Sequence, residues 1–114
     1  MPIVEKTLFI ENELGLHLRS AGNLVTLASR FRSSIKLSKD GEDEVDGKSI
    51  MGVLTLGAPR GTALNFRVEG EDAERCAWAI ERLVAGHFFD GVDREQARAE
   101  IEAIIRESAK VNGS

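Results

Sequence analysis

Residues 15–21 read GLHLRSA, with a histidine and an arginine two positions apart where helical spacing begins. Gly15 lets the chain turn tightly ahead of them. A ring at position 17 faces the open backbone N–H groups of the first helical turn, and those donors, together with the helix dipole, favour an anion. Arg19 adds a fixed positive charge with several donors. The combination suits a phosphoryl group bonded to a ring nitrogen of His17. Its stabilisation should be moderate, because a carrier must release its cargo as readily as it takes it. The same placement also suits a histidine that only caps the helix, and spacing leaves both readings open.

Ser49 poses a similar choice. It stands before the apolar pair Ile50–Met51 at a helix start, where serine is a common N-cap. A phosphate at that place is also tolerated without unfolding the helix and changes the local charge. His87 falls at the end of a helix containing Trp78 and Leu83, an ordinary position for a cation that complements the dipole. It is far along the chain from His17 and no Cys/His cluster accompanies it, so neither a metal centre nor a cofactor is expected. Cys76 is the sole cysteine and sits beside Ala77 and Ala79, which reads as a small core residue and not a reactive thiol. No serine lies in a nucleophile elbow. The stretch GEDEVDGKS fails as a phosphate-binding loop, since five residues and not four separate its glycines, and four of those five are acids.

The elements that must position these groups follow from periodicity. Ile3 to Ile10 predicts a strand with Leu8 and Ile10 facing the core and Thr7 and Phe9 facing away. Ala21, Leu24, Leu27, Ala28 and Phe31 recur at helical spacing over about Leu18 to Phe31. Ile35 and Leu37, a Lys39–Asp40–Gly41 turn and a short strand near Val45 predict a hairpin. A short helix follows from its cap at Ser49 to a stop at Gly57. Leu64, Phe66 and Val68 alternate on a further strand. The next helix opens on Glu71 and Asp72, which suit the positive end of its dipole, and closes at Gly86. This βαββαβα order predicts an α+β fold, a four-stranded, mostly antiparallel sheet with helices on one face. One more helix is expected from Asp93 to about Ser108, opened by an Asp93–Gln96 capping box and striped by Ala97, Ile101, Ile104 and Ile105.

The chain has 114 residues, of which 42% are hydrophobic and 30% charged, enough for one domain with a modest core. No apolar run approaches a membrane span, and the N-terminal MPIVEKTLFIENE has no signal-peptide pattern, so a cytoplasmic protein without membrane insertion is expected. A net charge of −4 with no dense basic block argues against nucleic acid as a partner.

Two segments in this order carry a resemblance. GLHLRSA is similar to the active-site segment of the histidine-containing phosphocarrier (HPr) family of the bacterial sugar phosphotransferase system, usually G-L-H-x-R-P-A, and GKSIMGVLTLG is similar to the family's regulatory-serine segment. The resemblance covers about residues 1–88. It implies an open-faced β-sandwich in which His17 accepts a phosphoryl group on Nδ1 from phosphorylated Enzyme I and passes it to IIA-type permease components, with Arg19 assisting. Such a chain is a carrier and not a true enzyme. The resemblance also implies a regulatory HPr kinase/phosphorylase acting on Ser49, and docking through Leu18, Ile50, Met51 and Leu54. Ser20 departs from the family proline, giving up a preset backbone while still able to begin a helix. Two other classes compete: a binding module controlled by Ser49 phosphorylation with little or no sugar-transport role, and a small-ligand sensor, which the lack of a Gly-rich loop disfavours. Residues 1–89 then form the HPr-like domain and 90–114 a helical extension beyond the resemblance. Its apolar stripe should dock in cis, with the outer sheet face around Phe9 as a candidate surface and Gly91 turning the chain back, or else pair with a second chain.

Overall fold

Leu64, Phe66 and Val68 alternate with Asn65 and Arg67, and all three apolar side chains are buried. In the computed structural model of the protein, which describes residues 1–89 and 94–113, they belong to a central strand. The chain runs β1 (Ile3–Phe9), α1 (Leu18–Ala28), β2 (Ser34–Lys39), β3 (Val45–Asp46), α2 (Ile50–Leu54), β4 (Ala63–Glu69), α3 (Ala73–Ala85), a 3-10 turn (His87–Phe89) and α4 (Arg94–Gly113). The sheet order is β1-β4-β2-β3 with every pair antiparallel. Leu8 lies opposite Leu64, and Leu37 opposite Phe66, so cross-strand pairs build one apolar face. Helices α1 and α3 cover that face with Ala21, Leu24, Leu27, Cys76, Ile80 and Leu83, all buried. Among the described residues no helix is long and apolar enough to cross a membrane.

Several boundaries differ from the periodicity for local reasons. Helix α1 ends at Ala28, and Phe31, although buried, lies in the closing turn, where its N–H donates to Ala28 O. The hairpin turn holds Asp40 and Gly41 at φ of 39° and 75°, the left-handed pair that a twisted two-strand ribbon requires. Asp72 does stand at the N-cap of α3, but its side chain makes no cap. Its carboxylate instead accepts from the backbone N–H groups of Arg32 (2.9 Å) and Ser33 (3.0 Å) and from the Ser33 hydroxyl, tying the α1–β2 loop to α3. Gly70 permits this approach, since a Cβ there would lie 2.7 Å from Ser33 Cα. Burial pushes the Asp72 carboxyl up, but the Ser33 hydroxyl and the two N–H donors outweigh it and hold the group below its usual value. Cys76 is fully buried, and that burial, with Asp72 nearby, pushes its thiol up to about 12.

The C-terminal helix is not on the outer sheet face. Phe9 remains 58% exposed there, whereas α4 lies over the helix layer and buries Ala97, Ile101, Ile104 and Ile105 against it. The outer sheet face is polar around Glu5, Thr7 and Asn65, whereas the α1–α3 layer offers an apolar seat. Gly86 does not end α3 by a left-handed cap, for its φ is −88°. It makes room instead, because a Cβ at Gly86 would stand 2.8 Å from the Cβ of Ala97. An Arg82–Glu100 ion pair and an Arg30–Glu102 contact of 3.5 Å border the stripe. The expected capping box at Asp93 and the turn at Gly91 lie outside the described residues.

Asp72→Asn should cost about 1–3 kcal/mol at neutral pH, because it weakens a buried three-donor acceptor. The lowered carboxyl makes its contribution present above the unfolded carboxylate range, near 4, and lost as pH falls through the folded value. Urea melts of both proteins between pH 7 and pH 2 should therefore converge at the acid end.

Candidate functional site

The site is built on a tight backbone contact. Gly15 has φ +70°, and a Cβ there would lie 2.6 Å from Ala58 O and 2.8 Å from Pro59 Cα. The following residue locks the contact, with Leu16 N–H donating to Ala58 O at 2.8 Å. Asn12, buried, donates through Nδ2 to Gly15 O at 2.7 Å. The chain therefore enters α1 at a fixed angle, and His17 becomes its N-cap with extended φ/ψ of −113° and −177°.

The His17 ring is the capping group. Nδ1 accepts from the Arg19 backbone N–H at 3.3 Å, and the ring also accepts from the N–H of Ser20. In this geometry Nδ1 carries the lone pair, and the hydrogen of the neutral ring is on Nε2. Ser20 closes the arrangement from the other side: its hydroxyl, fully buried, accepts from the His17 backbone N–H at 2.9 Å. The same hydroxyl directs its own hydrogen toward Gly15 O (3.0 Å) or His17 O (3.2 Å). The result is a capping box with histidine in the capping role. The rigidity that serine gives up in its backbone is thus restored by its side chain.

His17 and Arg19 line one open cleft of about 490 Å³ together with Glu11, Asn12, Glu13, Leu14, Arg60 and His87. The spacing of His17 and Arg19 placed them together in the sequence. Arg60 and His87 reach the cleft only through the fold, Arg60 because its loop is pressed against Gly15 and His87 because the 3-10 turn redirects the chain. His87 was expected to close α3 as a cation at its C-terminus. It stands there, directly after the Gly86 C-cap at φ +56°, and its Nε2 also lies 3.9 Å from Glu11 Oε2. The only sequence signal for its place in the cleft was its histidine type.

Ser49 lies outside the cleft, as N-cap of α2, where its Oγ accepts from Gly52 N–H at 3.1 Å. Helix α2 packs beside α1. Leu18 and Met51 are 69% and 70% exposed, whereas Ile50 and Leu54 are half-buried supports packed on the core. Leu14, 75% exposed at the cleft, adds an apolar tip that periodicity did not single out.

Residues 4–86 match the family model described as the PTS HPr component phosphorylation site. The chain is similar to phosphocarrier protein HPr of Xylella fastidiosa, 41% identical over 86 residues that span 75% of this chain and 96% of that protein. It is also similar to phosphocarrier protein HPr of Pseudomonas aeruginosa, 38% identical over 91 residues, 80% of this chain and 99% of that one. Among solved structures, HPr-C-His from Thermoanaerobacter tengcongensis superposes with a TM-score of 0.73 at 37% identity, covering 78% of this chain and 99% of that chain.

Removing the Ser20 hydroxyl tests the capping box. Ser20→Ala should lower stability by about 1 kcal/mol, the ordinary value of a lost cap interaction. Amide exchange should speed up at His17 and the first turn of α1 more than in α3.

Proposed function

The chain belongs to the HPr family of phosphocarrier proteins of the phosphotransferase system, and from that premise we propose that His17 accepts a phosphoryl group on Nδ1 from phosphorylated Enzyme I and passes it to IIA-type permease components. The observation that carries this reading is the Nδ1 lone pair, held at the N-terminus of α1 among the N–H groups of Arg19 and Ser20. In the transfer step the Nδ1 lone pair forms the new N–P bond as the donor's bond to phosphorus breaks. The electron pair of that bond returns to the donor atom, and the Nε2 hydrogen stays on the ring. The phosphoryl oxygens then take over the first-turn N–H donors, which already favour an anion. Arg19, in the same cleft, supplies charge as the transferring group passes between partners. Passage to a IIA-type component reverses these bond changes, so the protein is restored in each cycle.

Docking rests on Leu18 and Met51 as exposed contacts, with Ile50 and Leu54 supporting α2. Ser49 is the site of regulatory phosphorylation by a nucleotide- and magnesium-dependent HPr kinase/phosphorylase. The position of Ser49 beside this surface supports that role, because a charge of about −1.5 to −2 there is costly to bury at an apolar interface. Residues 1–89 are assigned to the carrier domain and 90–114 to an appended extension, a division supported by the end of the family match at residue 86.

Incubation with Enzyme I and labelled phosphoenolpyruvate should give an acid-labile label that His17→Ala abolishes while the fold is kept. Arg19→Ala should remain folded and transfer about tenfold or more slowly, the scale of losing one charge-stabilising donor. Full labelling of His17→Ala would refute the carrier assignment. Phosphorylation of Ser49, or Ser49→Asp, should weaken binding to Enzyme I in calorimetric titration, and an unchanged affinity after stoichiometric phosphorylation would remove Ser49 from the docking surface.

A further inference from the structure

Three consecutive non-glycine residues, His87, Phe88 and Phe89, have φ of 56°, 55° and 70°. Side chains of L-residues rarely adopt that region, and a run of three persists only where surrounding contacts fix it. Those contacts come from both neighbouring helices. Phe88 is fully buried, and its carbonyl accepts from Asn23 Nδ2 of α1 at 2.8 Å. Phe89 N–H donates to Gly86 O at 3.1 Å, and the guanidinium of Arg98 on α4 stands 4.9 Å from the centre of the Phe89 ring. The clamp follows directly on the Gly86 C-cap of α3 and leaves His87 in the lining of the His17 cleft.

A left-handed residue just past the C-cap is a common way to end a helix, which accounts for His87, but it does not account for Phe88 and Phe89, which continue the left-handed run. The contact with Glu11 does not account for the run either. At 3.9 Å, between side chains 43% and 64% exposed, it is a weak surface pair. What the turn does provide is a second imidazole in the cleft, beside that of His17. The charged and titratable groups that share the cleft are Arg19 and Arg60, opposed by Glu11 and Glu13, with His17 itself. With the two arginines opposed by the two glutamates, His87 adds a further ring N–H donor to the cleft.

Building on the carrier reading of His17, we propose that His87 is a second functional residue of the phosphoryl site, leaving Glu11 to donate a hydrogen bond to the phosphoryl oxygens once His17 is loaded. Linkage makes the effect reciprocal: a phosphoryl dianion favours the protonated imidazole, and that imidazole favours the dianion over the monoanion. Glu11 competes for the same imidazole in the unloaded protein. The C-terminal helix, by holding Phe89, thereby takes part in setting the chemistry at His17.

The test is a phosphorus NMR titration of the full-length protein phosphorylated through Enzyme I, together with transfer rates over pH 5.5–8.5. That span covers most of the roughly 5 to 8 range in which histidine charge commonly changes. His87→Asn suits the left-handed backbone, since asparagine tolerates it, and its short amide leaves the cleft. This variant should still be labelled on His17, which separates the proposal from the carrier reading. The titration midpoint of its phosphoryl group should rise by about half a unit, and transfer should slow roughly three- to tenfold at the acid end, the scale of one charged donor at an exposed anion. Glu11→Gln, which leaves the turn untouched, should lower the midpoint. A phosphoryl midpoint in His87→Asn equal to that of wild type would overturn the proposal whatever Glu11→Gln does, since loss of the Glu11 charge lowers the midpoint by itself, whereas no label on His17 in the wild type would overturn the carrier reading beneath it.

Discussion

The approach of Gly15 to the Ala58–Pro59 backbone is the contact on which the site depends. No side chain fits at that position, and the left-handed φ would strain any that did. Because the contact is backbone on backbone, it fixes the entry angle of α1 without relying on rotamers. His17 inherits that angle, and its ring meets the first-turn N–H groups. Arg60 follows Pro59 directly, so the same contact brings a second arginine to the cleft. One steric constraint thus orients the His17 ring, opens the helix and assembles part of the charge around it.

The carrier scaffold was readable from the sequence where patterns are short in range. Alternation in Leu64, Phe66 and Val68 and helical spacing in Ala21, Leu24 and Leu27 specify faces, and the structure buries those faces. His17 and Ser49 stood out because capping positions have local signatures. Arg60 and His87 did not, because nothing within a few residues of either shows what it will face after folding. Asp72 was legible as a helix-start acid, yet its use is to bind a loop far away in the chain, and that use depends on the room left by Gly70. Ser20 was legible as a departure from proline, but the compensation by its hydroxyl requires the coordinates of Gly15 O and His17 N. The stripe of α4 foretold a buried helix and not its seat, since an apolar stripe is satisfied by any apolar partner.

The extension changes the architecture from two layers to three, sheet, helix pair and outer helix. Helix α3 is consequently covered on both sides. Its small residues Ala73, Cys76, Ala77 and Ala79 are buried, while Gly86 makes room for α4. Ile101, Ile104 and Ile105 join the same core cluster as the sheet residues, so the added helix enlarges one core and does not form a second. Trp78, on the flank of α3 near α4, stays 58% exposed, which marks the limit of that coverage.

A last consequence follows from the ring of His17 serving as the cap of α1. In the carrier reading, the lone pair that attacks phosphorus is the pair that now accepts the N–H groups of Arg19 and Ser20. Loading therefore removes the helix's own acceptor and substitutes oxygens belonging to the cargo. Delivery restores the original one. The group-transfer potential of the phosphohistidine then includes the difference between two ways of ending the same helix, each on the order of 1 kcal/mol. A carrier that works between two partners of similar potential benefits when that difference is small, and a helix terminus that accepts either ring nitrogen or phosphoryl oxygen provides such a near-balance. In the carrier reading the first turn of α1 would act in this way as a thermodynamic buffer for the bond at His17.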